Sequence, residues 1–414
     1  MPGTRVIFAL LAVFLFAFWA SVAEIYADTH TAASCSFSDV SAAISAASDG
    51  DTVSIPSGSC TWTSAFTITK GITLMGAGSS STTITHGYNG NGLIRFNLSS
   101  DKAVRITGLY IKQSSNLDGT YNTIWIDGSQ TGAYNLTKVR IDHNKIEKGT
   151  ACIYTRGRNE WLIDNNEFVN CNIAIEVQGD SDSWNREIAA GTANSLFIED
   201  NTFTINASTD REPNEQTYHF CGARTVIRHN TLDGTAYIST GWGGSTFFDS
   251  HGYAHPATCR GNPLIEMYNN TIHAYDFAYV LHPRGGSLLV HDNAATCDKA
   301  GCAPQFFRLA EDNTPLVWPM QDQINNSYFW NNTLNGAAVT TATIVNPPIP
   351  DPTKDFFFHA PQATGGREAY TGSPGGNMTF SPLGANAYYP YTTYTYPHPL
   401  GRVPSAPANL RIVP

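Results

Sequence analysis

The sequence predicts an all-β chain wound as a parallel β-helix, a solenoid with a helix capping its first coil and an extended Pro/Tyr-rich tail after its last. Three observations predict it. An eight-residue phrase recurs along the chain, as VRIDHNKI from Val139, WLIDNNEF from Trp161, LFIEDNTF from Leu196, TVIRHNTL from Thr225, IEMYNNTI from Ile265, LLVHDNAA from Leu288 and SYFWNNTL from Ser327. Aligned on Asn144, Asn166, Asn201, Asn230, Asn270, Asn293 and Asn332, the fifth and third residues before the Asn and the second after it are mostly apolar. Such period-two alternation marks a strand with one face buried and one wet, here ending at an Asn turn.

The second observation is the spacing. Successive Asn residues stand 22 and 23 residues apart in two cases and 35, 29, 40 and 39 in the others, so the base period is near 22 with loops or additional turns in the longer gaps. One strand per unit at this period is solenoidal. A leucine-rich repeat would need its Leu-x-x-Leu-x-Leu consensus and a propeller about 40 residues per blade. Stacked coils fit better, with equivalent residues about 4.8 Å apart and the recurring Asn forming an amide ladder. The third observation is compositional: from about Val345 the chain turns to NPPIPDP, TGSPGGN and YYPYTTYTYPHPLG, which reads as a segment lying along the solenoid.

From the N-terminus, Met1 to about Ala23 carries Arg5, the apolar run VIFALLAVFLFAFWA and then Ser21-Val22-Ala23, the pattern of a cleaved secretory signal and too short for a span of about 20 residues. Ser36-Phe37-Ser38-Asp39 reads as a capping box opening a helix over Phe37 to Ala47, placed to cover the open end of the stack. The solenoid is expected over 33–345 and the tail over 346–414. Eight cysteines without a CxxC pair fit disulfides in an oxidising compartment. Sequence neighbours suggest Cys35–Cys60, Cys152–Cys171, Cys221–Cys259 and Cys297–Cys302; 19 residues between Cys152 and Cys171 is close to one coil. The protein is expected outside the cytoplasm, secreted, at the cell surface or in the periplasm, and monomeric. A formal charge of −10 with 14% charged residues gives no basic stripe for nucleic acid.

Together, DGDTVSIPSGSCTW, ITKGITLMGAG and the coil phrases resemble the secreted right-handed parallel β-helix proteins of the pectate-lyase-like superfamily, over about Ala33 to Val345. That superfamily includes polysaccharide lyases, glycoside hydrolases, esterases and adhesins, so the resemblance implies a polysaccharide partner and leaves the reaction open. The paired-aspartate motifs of polygalacturonases are missing. IDH at Ile141 to His143 matches a pectate-lyase phrase, while the accompanying Arg-x-Pro-x-x-Arg element is absent. SAPANLRIVP at the end resembles the first strand of a fibronectin type III domain.

Ionisable and aromatic residues concentrate between Tyr218 and Asn293. A β-eliminating lyase needs a base and a cation that neutralises the uronate carboxylate. With no lysine between Lys148 and Lys299, the base has to be His251, His291, Tyr268 or an arginine such as Arg260 or Arg284, and Asp249 and Glu266 are the carboxylates a hydrolase would pair. Trp242, Phe248, Tyr253, Tyr268, Arg228 and His291 are candidate substrate contacts, and convergence of all these residues on one outer flank is expected. The alternation turns Arg228, Tyr268, His291 and Glu266 outward. GDSDSW at Gly179 to Trp184 offers two carboxylates to a calcium ion but lacks the Gly and distal Glu of an EF-hand loop, so calcium stays open as a cofactor and a plain turn is expected there. A lyase acting on an acidic polysaccharide leads, against a hydrolase or a non-catalytic carbohydrate-binding or adhesin β-helix.

Overall fold

The computed structural model describes residues 27–114, 122–206, 215–234, 246–252, 260–311, 322–345, 347, 349–364, 386 and 388–402. The expected signal segment lies outside them. Among the described residues no helix is long and apolar enough to cross a membrane.

Three long sheets run the length of the protein, with 12, 11 and 10 strands; all pairings among the described residues are parallel except that of the short end strand Ala337–Ala338, and each coil contributes one strand to each sheet in turn. This is the expected right-handed parallel β-helix. Sheet I holds the strand before each Asn, sheet II the strand after it, and sheet III the strand that returns the chain to sheet I. Register shows why the phrase recurs. Ile106, Ile141, Ile163, Ile198, Ile227, Met267, Val290 and Phe329 face one another on successive coils of sheet I and are fully buried. Each apolar position of the phrase is therefore one rung of a continuous internal stack. Consecutive Asn residues are always on adjacent coils, so the longer spacings are single turns carrying loops.

The Asn ladder forms as expected. Nδ2 of each Asn donates to Oδ1 of the next, at 3.1 Å from Asn144 to Asn166, 3.0 Å from Asn166 to Asn201 and 2.8 Å from Asn293 to Asn332. The residue before each Asn takes the left-handed conformation, for example His143 (φ 53°), Asp200 (φ 56°) and Asp292 (φ 53°). Asn, Asp and His tolerate this conformation best among residues with a Cβ, which explains the composition of the turn.

At the N-terminal end, Phe37–Ala46 is the predicted helix, and Ser36 Oγ accepts from the Asp39 N–H at 3.2 Å. Lys70 Nζ donates to the carbonyls of Ile44 (3.0 Å) and Ala47 (2.5 Å), satisfying the other end. Phe37 stacks on Phe66 at 4.3 Å, so the helix closes the apolar interior. Cys35–Cys60, Cys152–Cys171 and Cys297–Cys302 are bonded as expected. Cys221 is also disulfide-bonded, while its expected partner Cys259 lies outside the described residues. Sheet I receives a last strand at Phe356–Phe357, so the stack continues past Val345. The tail, over 388–402, then runs back along the outer surface of sheet I.

Candidate active site

The tail covers the outer face of sheet I. Arg228 is fully buried beneath it: its guanidinium pairs with Glu199 at 2.5 Å and donates to the carbonyls of Tyr394 (2.7 Å) and Thr395 (2.9 Å). Glu266 accepts from the Tyr391 hydroxyl at 2.6 Å and from the Gly191 N–H at 3.0 Å, and burial pushes its carboxyl up. Tyr268, His291 and Trp330 form a stacked row with centroids 4.8 and 4.2 Å apart, and the Tyr391 ring meets His291 edge-on. Arg228, Glu266, Tyr268 and His291 do point out of the coil, as the alternation requires. They are nonetheless covered by the chain's own tail and belong to the packing of sheet I.

Other expectations are corrected in the same way. Phe248 is an inward residue packed in the core, not an aromatic wall. Arg260 is buried against Asp322 (Nε at 2.9 Å) and stacks on Trp184 at 4.1 Å, a clasp between two turns. Asp142 of the IDH phrase is bonded to Arg105 at 2.7 Å and to His143 at 2.7 Å on sheet I. In GDSDSW, Asp180 accepts from Arg186 with both oxygens at 2.7 Å, which makes it a turn fastened by an ion pair. Trp242 and Tyr253 lie outside the described residues.

Asp249, His251 and Arg284 are brought together, and the place is sheet III. Parallel register aligns Trp125, Tyr154, Glu176, Tyr218, Asp249 and His282 in one outward column. The neighbouring column holds Asp127, Arg156, Gln178 and Phe220, with His251 and Arg284 following in the same register. Asp249 is the hub. Its Oδ2 lies 2.9 Å from His251 Nε2 and accepts from the Arg284 guanidinium, which also reaches His251; its Oδ1 lies 3.5 Å from His282 Nδ1. The Arg284 guanidinium and the hydrogen bond from His251 hold the Asp249 carboxyl well below its usual range despite complete burial. Arg308 Nη1 donates to His282 Nε2 at 2.9 Å, and burial lowers His282 to about 4, so this imidazole is neutral near pH 7.

Tyr218 meets the His251 ring edge-on at 4.6 Å. Burial, together with the carboxylates of Asp249 and Glu215, raises its hydroxyl, so it remains a protonated donor. Glu215, beside this column, and Glu176, within it, are pushed up mainly by burial, Glu176 to about 7. Among the described residues, the one group of three metal-type ligand atoms that converges is Asp276 with Cys297 and Cys302, and those two cysteines are bonded to each other.

Of the residues expected from the sequence, Asp249, His251 and Arg284 come together; Tyr218, His282, Arg308, Glu176 and Glu215, which join or flank them, were not singled out. Alternation was present in YHF and VLHP, but the distance from the Asn anchor was not constant. Tyr154 and Glu176 stand ten residues after their Asn, Asp249 nineteen after Asn230 and His282 twelve after Asn270.

No family model matches the chain, and no curated protein matches it. Solved structures do. An alginate lyase from Paenibacillus sp. str. FPU-7 is similar over 77% of this chain and 97% of its own, at 16% identity and a TM-score of 0.44. A PL6 family polysaccharide lyase from Pseudopedobacter saltans is similar over 76% of this chain and 78% of its own, at 12% identity and a TM-score of 0.44. The catalytic unit of a thermostable GH87 alpha-1,3-glucanase from Streptomyces thermodiastaticus strain HF3-3 is similar over 77% and 64%, at 11% identity and a TM-score of 0.39. The roles assigned to residues of this chain rest on its own geometry.

Proposed function

We propose that this protein is a polysaccharide lyase that cleaves an acidic polysaccharide by β-elimination on the outer face of sheet III. The observation that carries this reading is the Asp249 hub, which gathers His251, His282, Arg284 and, through His282, Arg308 beside Tyr218. Elimination needs a cation at the uronate carboxylate while the carbanion develops, a base for the adjacent proton and an acid for the leaving oxygen. Arg284 and Arg308 supply positive charge on a face that carries no lysine. His251 is the base, with Asp249 placed to orient the imidazole and balance the charge formed when it takes a proton. Tyr218, kept protonated by its surroundings, is the donor to the leaving oxygen.

A second reading, glycoside hydrolysis, has its own support. Glu215 is pushed up while Asp249 is held down, and a carboxyl pair split in this way suits an acid and a base or nucleophile. Product chemistry separates the two. Purified protein incubated with a panel of acidic and neutral polysaccharides gives ultraviolet-absorbing unsaturated ends if it is a lyase, and reducing ends without that absorbance if it is a hydrolase. Tyr218→Phe removes one hydroxyl from a half-buried side chain and should lower turnover by roughly 10²–10⁴ with little change in melting temperature. Cleavage by Tyr218→Phe at the wild-type rate would remove Tyr218 from the reaction.

A further inference from the structure

At the N-terminal end of the same face, two arginines share one carboxylate across an indole. Arg95 Cζ lies 4.2 Å and Arg156 Cζ 5.1 Å from the Trp125 ring, and Tyr154 meets that ring edge-on at 4.9 Å. Asp127, almost fully buried between them, accepts from Arg95 and, at 2.8 Å, from Arg156 Nη2. Two positive charges against one negative charge leave a net positive site. The side chains of Arg95 and Arg156 remain 30% and 23% exposed, and Arg95 Nε and Trp125 Nε1 have no hydrogen-bond partner although both atoms are buried. Flat guanidiniums fixed by an indole and a carboxylate are preorganised for a planar anion.

Register gives the distance to the Asp249 hub. Arg156, Gln178 and Phe220 follow one another in a single column that continues to His251, so three coils, about 14 Å, separate Arg156 from His251. The Tyr154 hydroxyl donates to Gln178 Oε1 at 2.5 Å, tying the cluster to the surface between the two sites. This spacing along the solenoid axis suits one extended chain that contacts both.

We propose that Arg95 and Arg156, set by Trp125 and Asp127, form a distal subsite that binds a carboxylate of the same acidic polysaccharide several sugar units from the bond that is cut. The inference rests on the lyase reading and adds to it a reason for preferring long acidic chains. The subsite touches no reacting atom; its effect is on binding, and it grows with chain length.

The test uses the full chain with an acidic polysaccharide that the wild type cleaves and a size series of oligosaccharides prepared from it. In Arg156→Ala, the ratio of kcat/KM on polymer to that on the shortest cleaved oligosaccharide should fall about tenfold, the equivalent of one charge-assisted hydrogen bond, with the loss in KM. Arg156→Lys should recover part of the ratio through its charge. Circular dichroism and melting confirm that each variant is folded, and Arg95→Ala provides an independent probe if Arg156→Ala does not fold. A wild-type ratio in the folded variants, or an equal loss at every length, overturns the subsite while leaving the lyase reading standing. A wild type that cleaves and binds no acidic polysaccharide overturns both.

Discussion

Replacing Asn201 with Ala tests the device that sets the coil period. The Asn201 amide nitrogen donates to the carbonyls of Ile163 (2.9 Å) and Glu199 (3.0 Å) and to Asn230 Oδ1 (3.1 Å), while its oxygen accepts from the Asn166 backbone N–H and Nδ2, both at 3.0 Å. Asn201 is 1% exposed, so water does not replace these bonds. In the Ala variant the Asn166 N–H loses its acceptor inside the protein, at about 1–3 kcal/mol, and the two carbonyl bonds add about 0.5–1.5 kcal/mol each, for a total of roughly 2–6 kcal/mol. Asn201→Asp should cost more, because a carboxylate oxygen would face two carbonyl oxygens and bring a buried charge. Urea unfolding followed by circular dichroism measures both, with exposed Asn194→Ala as the reference expected within about 0.5 kcal/mol of wild type. An Asn201→Ala midpoint equal to that of Asn194→Ala would refute the ladder as a stabilising element.

Three further outcomes follow from the same structure. Arg284→Ala removes a cation from a fully buried Asp249 and should cost about 3–5 kcal/mol besides abolishing turnover; Arg284→Lys keeps the charge and should separate the two effects, read by melting and by product absorbance. Burial lowers His86 and His398 to about 4, below the ordinary 6.5, so the unfolded chain binds more protons between those values. Stability should be full above pH 6.5 and fall as pH drops toward 4, on the order of 2–3 kcal/mol for each histidine, and His86→Leu should flatten that part of the profile in urea titrations at several pH values. Tyr391→Phe deprives buried Glu266 of a donor and should destabilise by about 1.5–3 kcal/mol, with faster limited proteolysis of the tail if that bond holds it down. Unchanged digestion would show that the tail is retained by its other contacts.

Much of the fold could be read from the sequence because sheet I and the ladder are locally encoded. The strand ends at its Asn after a fixed number of residues, so apolar rungs, turn and outward positions repeat in phase, and Ile141, Ile163, Ile198 and Ile227 could be superposed without coordinates. The capping helix was equally local, with Ser36, Asp39 and one apolar face within a few turns of chain. The bonded pair Cys152–Cys171 followed from a separation close to one coil.

The candidate site was only partly legible, and the reason is again physical. Sheet III follows turns of different length, so the column of Tyr218, Asp249 and His282 has no constant offset from the anchor and only hydrogen-bonded register aligns it. Outwardness is a property of a strand, but exposure is a property of the whole chain. Alternation turned Arg228, Glu266, Tyr268 and His291 away from the core, and residues 388–402, more than a hundred residues away from Glu266, then covered them. The sequence by itself determined the solenoid, its period and the residues available for chemistry. Only the tertiary structure decided that the tail closes sheet I and that hydrogen-bonded register gathers Asp249, His251 and Arg284 on sheet III, because both depend on which distant segments meet and not on any local pattern.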